Sequence, residues 1–153
     1  MLEIRAVPFD DPVAQALIGG AMADLAGRYG GTGDDTPVDP TEFRPPRGEF
    51  LVAYLDGVPV SCAGWRSLGT DGTTAELKRM YTLPRARRRG VARAVLLAVE
   101  ESARAAGRAR VALETGSLQP EAIAMYESAG YALIPNFGYY KDEPDVRSFG
   151  REL

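Results

Sequence analysis

The stretch LEIRA alternates apolar and polar residues, the two-residue period of a half-buried strand, and predicts a first strand over Leu2 to Ala6. The period then changes. From about Pro12 to Tyr29, apolar Val13, Ala16, Leu17, Ala21 and Leu25 return at roughly helical spacing, and Gly30 with Gly31 stops the run. Gly30 to Gly48, GGTGDDTPVDPTEFRPPRG, is rich in Gly, Pro and Asp and predicts a long surface loop, of a length more often functional than decorative. From Phe50, FLVAYLDGVPVSCAGWRSL places two apolar runs about Asp56-Gly57, a strong hairpin signal.

A third strand, TTAELKRMYTL, follows a turn at Gly69 to Gly72. Its alternation is broken: Lys78 and Arg79 are adjacent while Leu77 and Met80 stand three apart, which predicts a bulge near Lys78 to Tyr81 and backbone amides left unpaired there. Val91, Val95, Leu96 and Val99 then mark one stripe of a helix ended by Gly107, with Glu100 and Arg104 expected as an i,i+4 pair on its wet side. RVALET predicts a buried strand, Pro120 to Ala129 a short helix stopped by Gly130, and YALI and VRSFGREL two closing strands. Helices interspersed among mostly consecutive hairpin strands imply an α/β or α+β layer, a mixed and mostly antiparallel sheet flanked by helices. No repeat or linker interrupts residues 1–153, and one domain is expected.

Composition narrows the chemistry. A net charge of -3 and a pI near 5.1 argue against a general nucleic-acid binder, which needs a broad basic face. With no histidine, the usual zinc sets and the Ser-His-Asp and Cys-His systems drop out, leaving Asp, Glu, Tyr or Lys for proton transfer, and no metal is expected. The one cysteine, Cys62, lies in a strand-like run and reads as a small core residue. The N-terminal MLEIRAVPFDD lacks the basic and apolar regions of a signal peptide, and no run approaches the ~20 apolar residues of a membrane span, so a cytoplasmic protein is expected.

Within this acidic chain, RARRRGVARAVLL crowds five arginines around Gly90 where a helix begins. A helix start carries roughly half a positive charge, so arginines there oppose the dipole by about 0.3 to 1 kcal/mol each when exposed. Either they form a solvated helix end, or an anion sits among them.

The strand AELKRMYTLP, the helix opening RRRGVA and the segment LETGSLQPEAIAMYESAGY together resemble the GCN5-related N-acetyltransferase (GNAT) family. Arg87-x-x-Gly90-x-Ala92 is similar to the family's Q/R-x-x-G-x-G/A pyrophosphate loop. Gln119-x-x-Ala122-x-x-x-Tyr126 is similar to its N-x-x-A-x-x-x-Y helix, with Gln where Asn is commoner. The resemblance covers about Ala75 to Leu153 and is looser before, and the tail looks like that of a bacterial subgroup of small-molecule acetyltransferases. It implies acetyl-coenzyme A as cosubstrate, bound by Arg87, Arg88, Arg89, Gly90, Val91, Ala92, Arg93 and Gln119, with Met80, Tyr81 and Thr82 holding the pantetheine arm by backbone pairing. A free helix start suits such phosphates. A dimer is a family-level expectation.

The resemblance also implies the catalytic groups. Tyr126 matches the family's acid, which protonates the leaving thiolate; the competing reading is a core aromatic on the stripe Ile123, Tyr126, Ala129. Glu76 resembles the carboxylate that accepts the amine's proton, against an ion pair or a solvated strand residue, and Glu114 in LETG is the second candidate. Acetylation of a small amine or amino acid is the leading expectation, with Asp34, Asp35, Asp39 and Glu42 attracting a cation. Acetylation of a protein N-terminus or lysine, and acyl-coenzyme A binding without turnover, are the alternatives.

Overall fold

Asp11 starts the first helix by accepting the Val13 amide on its side chain, and Pro12 occupies the first helical position, where no amide is needed. The computed structural model of the chain describes residues 1–153. In chain order it runs β1 (Leu2–Ala6), α1 (Pro12–Tyr29), β2 (Gly48–Leu55), β3 (Val58–Leu68), β4 (Thr74–Thr82), α2 (Val91–Ala105), β5 (Arg110–Gly116), α3 (Pro120–Ser128), β6 (Ala132–Leu133) and β7 (Val146–Glu152). One seven-stranded sheet, ordered β1-β2-β3-β4-β5-β7-β6, joins all strands, and only β4 and β5 are parallel. This is the mixed, mostly antiparallel sheet with flanking helices that the pattern predicts.

The strands' alternation sends one set of side chains to each face. Leu51, Ala53, Ala63, Trp65, Ala75, Leu77, Val111 and Leu113 meet α2 and α3, while Phe50, Val52 and Cys62 meet α1. Fully burying a Val, Leu or Phe side chain stabilises by about 1.5–3 kcal/mol, so both layers are held by the same term. On α1 the buried set is Ala14, Leu17, Ile18 and Ala21, with Ala16 exposed, a one-position rotation of the predicted stripe. On α2 the stripe Val91, Val95, Leu96 and Val99 is buried as predicted.

One expectation fails on this frame and another is met in shortened form. Glu100 is not on the wet side of α2: its side chain is 3% exposed, and it accepts from the Tyr131 hydroxyl at 2.8 Å and from Arg151 at 2.6 Å. Arg104 pairs with Glu101 instead. An unpaired buried charge costs about 3–5 kcal/mol, and the two distant partners remove that cost where an i,i+4 partner in water would not. YALI, in turn, shortens to the two exposed residues Ala132–Leu133 at the sheet's edge.

Candidate active site

Strands β4 and β5 pair only at Thr74 with Arg110, Ala75 with Val111 and Glu76 with Ala112; beyond that they part, although β4 continues to Thr82 and β5 to Gly116. A gap inside a sheet leaves one edge of β4 without a ladder partner, and buried backbone groups there require other partners. The predicted bulge lies on this stretch. Gly64 pairs Lys78 and Cys62 pairs Tyr81, so Arg79 and Met80 together face Ala63, and Arg79 takes a φ of 58°.

The bulge has a side-chain consequence. Successive residues of a regular strand point to opposite faces, yet Lys78 and Arg79 both reach Asp34 on the α1 side. Lys78 Nζ lies 3.3 Å from Asp34 Oδ2, and Arg79 donates Nη1 to that same oxygen and Nη2 to the Thr36 carbonyl at 3.1 Å. Asp34 Oδ1 accepts from the Thr36 amide and hydroxyl. Burial pushes the Asp34 carboxyl up, but Lys78, Thr36 and Arg79 outweigh it and hold the group below the ordinary carboxylate range. The acidic loop is therefore not a free cation attractor. Asp35 accepts from Thr32, Asp39 caps Thr41, and Glu42 accepts from Arg66.

A cavity of about 400 Å³ runs through the gap, from Tyr126 and Gln119 on one side to Lys78, Arg79, Asp34, Glu114 and Tyr140 on the other. Glu114 Oε2 accepts the Tyr140 amide at 3.1 Å, while Oε1 is buried without a partner. Gly138 sits so close to this carboxylate that a Cβ there would overlap it. Burial raises the Glu114 carboxyl above its ordinary value; the Tyr140 amide and Lys78 oppose that rise, and Glu76 and Asp34 add to it. Glu76, 3% exposed, is held by Arg66 Nε at 3.0 Å and does not line the cavity. The structure thus brings Glu114 to the gap and commits Glu76 to an ion pair.

Tyr126 is 6% exposed, and its hydroxyl donates to Met80 Sδ at 3.6 Å, beside the bulge. Burial raises its pKa, so the phenol keeps its proton at neutral pH. Tyr81 packs its ring against α1 at Gly20, and Thr82 Oγ1 meets Ser61, so these two residues offer the gap backbone rather than side chains.

Gly90 begins α2 with φ 78° and no side-chain cap, and no acidic residue stands in the first turn. The left-handed conformation suits glycine and lets the backbone approach a ligand closely. Arg88 also has positive φ, at 63°. The first amides of α2, with Val91 and Ala92, are thus without intrahelical or side-chain acceptors. The arginines divide: Arg87 donates Nε to the Thr82 carbonyl at 3.0 Å and Arg93 ties α2 to Ser128 at 3.0 Å, whereas Arg88 and Arg89 are exposed and unpaired. Gln119 precedes α3 and donates to the Tyr29 hydroxyl at 3.4 Å. Sequence reasoning missed Lys78 and Arg79 as cavity residues, although the broken alternation marked them, and it missed Tyr140, for which no pattern gave a signal.

Residues 20–131 match the model of the acetyltransferase (GNAT) family. The chain belongs to that family. It is 41% identical over 95 residues to an IAA acetyltransferase of Azospirillum brasilense, a match covering 62% of this chain and 61%, under two thirds, of that relative's length. It is 32% identical over 134 residues to the uncharacterized N-acetyltransferase YjgM of Escherichia coli, covering 82% and 78% of the two chains. A crystal structure of a GNAT family acetyltransferase from Elizabethkingia anophelis with acetyl-CoA bound superposes with TM-score 0.71 at 16% identity over 99% of this chain and 98% of that one. At that identity the likeness speaks for the GNAT fold alone. No helix of this GNAT chain is long and apolar enough to cross a membrane.

Proposed function

We propose that this GNAT chain transfers an acetyl group from acetyl-coenzyme A to a primary amine of a small molecule or amino acid. The observation that carries the reading is the gap between β4 and β5, with an acid that keeps its proton on one side, Tyr126, and a half-buried carboxylate whose inner oxygen is free on the other, Glu114. The edge of β4 at Met80, Tyr81 and Thr82, which has no ladder partner in β5, fits an extended amide-bearing arm, with the Thr82 carbonyl already held by Arg87. The start of α2, with Arg87, Arg88, Arg89, Gly90, Val91, Ala92 and Arg93, fits a diphosphate. Gln119, already engaged by Tyr29, lines the same cavity.

Bound acetyl-coenzyme A supplies a thioester. The chain's own part is to orient an amine against it, take a proton from the nitrogen at Glu114, stabilise the developing oxyanion with an amide near Met80, and offer the Tyr126 proton to the departing sulfur. Glu114 takes precedence over Glu76 as proton acceptor because Arg66 already occupies the latter. A small acceptor is favoured over a polypeptide. Tyr29 accepts the Leu118 amide at 3.1 Å and Arg28 donates to the Leu118 carbonyl at 2.8 Å, tying the end of α1 to the approach of α3 beside the cavity. The relative named for IAA fits the same preference.

The test is free-thiol release from acetyl-coenzyme A with amines, amino acids and peptides, alongside melting curves. Acetyl-coenzyme A at a hundredfold excess over its Kd is expected to add about 2.7 kcal/mol of stability, roughly 5 to 11 °C for a domain of this length. An unmoved melting curve overturns the proposal; a moved curve without thiol release in any acceptor's presence leaves a binding module.

A further inference from the structure

We infer that the acceptor carries a carboxylate beside the amine that is acetylated, so that amino acids are the substrate class. The inference rests on the transferase reading above and names what its acceptor pocket selects.

The cavity holds two kinds of unfinished polar group. Lys78 has three N–H donors, a side chain 6% exposed, and one contact, to Asp34 Oδ2 at 3.3 Å. Arg79, its side chain 5% exposed, leaves Nε without any acceptor. Both cations crowd one oxygen of one carboxylate, because the bulge turns two consecutive residues to one face. Glu114 Oε1 is an acceptor without a donor. Of the other charges around the cavity, Arg66 holds Glu76 and Glu42, Asp35 accepts from Thr32 and Asp145 from Ser117, while Glu143 lines it as an exposed side chain without a partner.

A ligand that completes this set brings an anion to Lys78 and Arg79 and an ammonium to Glu114, the two charges of an amino acid. A bare monoamine satisfies Glu114 and leaves the cations short of acceptors, and a diamine sets a second positive charge against them. In the transfer the amine nitrogen bonds to the acetyl carbon as the carbon–sulfur bond breaks. The ammonium gives up two protons: one passes through Glu114 to solvent, and the other balances the proton Tyr126 hands to the sulfur.

The experiment compares thiol release with the common L-amino acids, with the amines that remain when their carboxyl group is removed, and with their methyl esters. Amino acids are expected to exceed both counterparts in kcat/KM by about 10- to 100-fold, the range of a lost hydrogen bond to a charged group. Lys78→Met, which keeps the stem and drops the charge, is expected to bring that ratio close to one, Lys78→Arg to keep it, and both to retain the acetyl-coenzyme A shift in melting temperature. Decarboxylated amines or esters used as well as amino acids by the unmodified protein overturn the inference and leave the transferase standing. So does a Lys78→Met protein that keeps the preference, or one that melts as a folded domain but loses the acetyl-coenzyme A shift, which would assign the cations to the cofactor. Thiol release with no amine of either kind removes the transferase reading and the inference together.

Discussion

The two ends of the candidate site handle charge in opposite ways. At the α2 end, Arg88 and Arg89 are exposed and unpaired around an uncapped helix start. At the α1 end, Lys78 and Arg79 are buried and share Asp34, with a single guanidinium nitrogen and part of an ammonium left over. Exposed charges act at a distance and are screened by salt; buried ones act over a hydrogen bond and are screened little. The first arrangement suits capture of a large, multiply charged group whose shape varies little. The second suits choosing among small molecules that differ by one functional group.

Tyr126→Phe tests the junction of the two ends and should have the largest effect. A general acid contributes about 10² to 10⁴-fold, so kcat is expected to fall within that range while the acetyl-coenzyme A shift in melting temperature stays. A fall of less than about tenfold by steady-state kinetics returns Tyr126 to the core-aromatic reading. Next in size, the double change Arg88→Ala and Arg89→Ala is expected to raise the KM for acetyl-coenzyme A about tenfold and to flatten its rise with added salt, leaving the acceptor KM alone. Equal effects on both substrates would erase the distinction between the ends.

The smallest effect is on stability. Burial raises the Glu114 carboxyl in the folded chain, so between its unfolded and folded pKa values the native state binds more protons, and stability falls as pH rises through that window. Glu114→Gln removes the titration. Relative to the unmodified protein it is expected to melt higher at pH 8 than at pH 4, while losing kcat/KM at neutral pH. A difference in melting temperature that is the same at both pH values would show that the carboxylate is not strained by its site.

The two ends also differ in how far sequence disclosed them. The features proposed to bind phosphate lie in one contiguous run, Arg87 to Arg93, and the spacing of arginine, glycine and alanine marks a helix start whatever the rest of the chain does. The proposed acceptor side is assembled from positions 34, 78–79, 114 and 140, four segments whose meeting depends on the β4 and β5 gap and on a loop with no period. The elements themselves were legible because the stripes are regular: Val91, Val95, Leu96 and Val99 could face only inward. Glu100 follows that stripe and was misplaced because local pairing rules weigh Arg104, four residues on, and cannot see Tyr131 and Arg151. Lys78 and Arg79 show the opposite failure. Their adjacency marks a backbone irregularity, but the partner that gives it meaning, Asp34, lies in a loop whose Gly, Pro and Asp content predicts a surface position.

Cys62 has a practical consequence for every measurement above. It is fully buried on the α1 face, its Sγ donates to the Arg79 carbonyl at 3.3 Å, and burial pushes the thiol up to about 12. At pH 8 such a thiol stays protonated, and the thiolate is the species that reacts with disulfide reagents and maleimides. The folded protein is therefore silent to a thiol-detecting dye. Colour that develops during turnover reports released coenzyme A alone, and colour from enzyme without substrate reports unfolding. The chain also serves, without further engineering, as a background for single introduced cysteines on either lip of the β4 and β5 gap, where a pair of labels can follow its width as ligands bind.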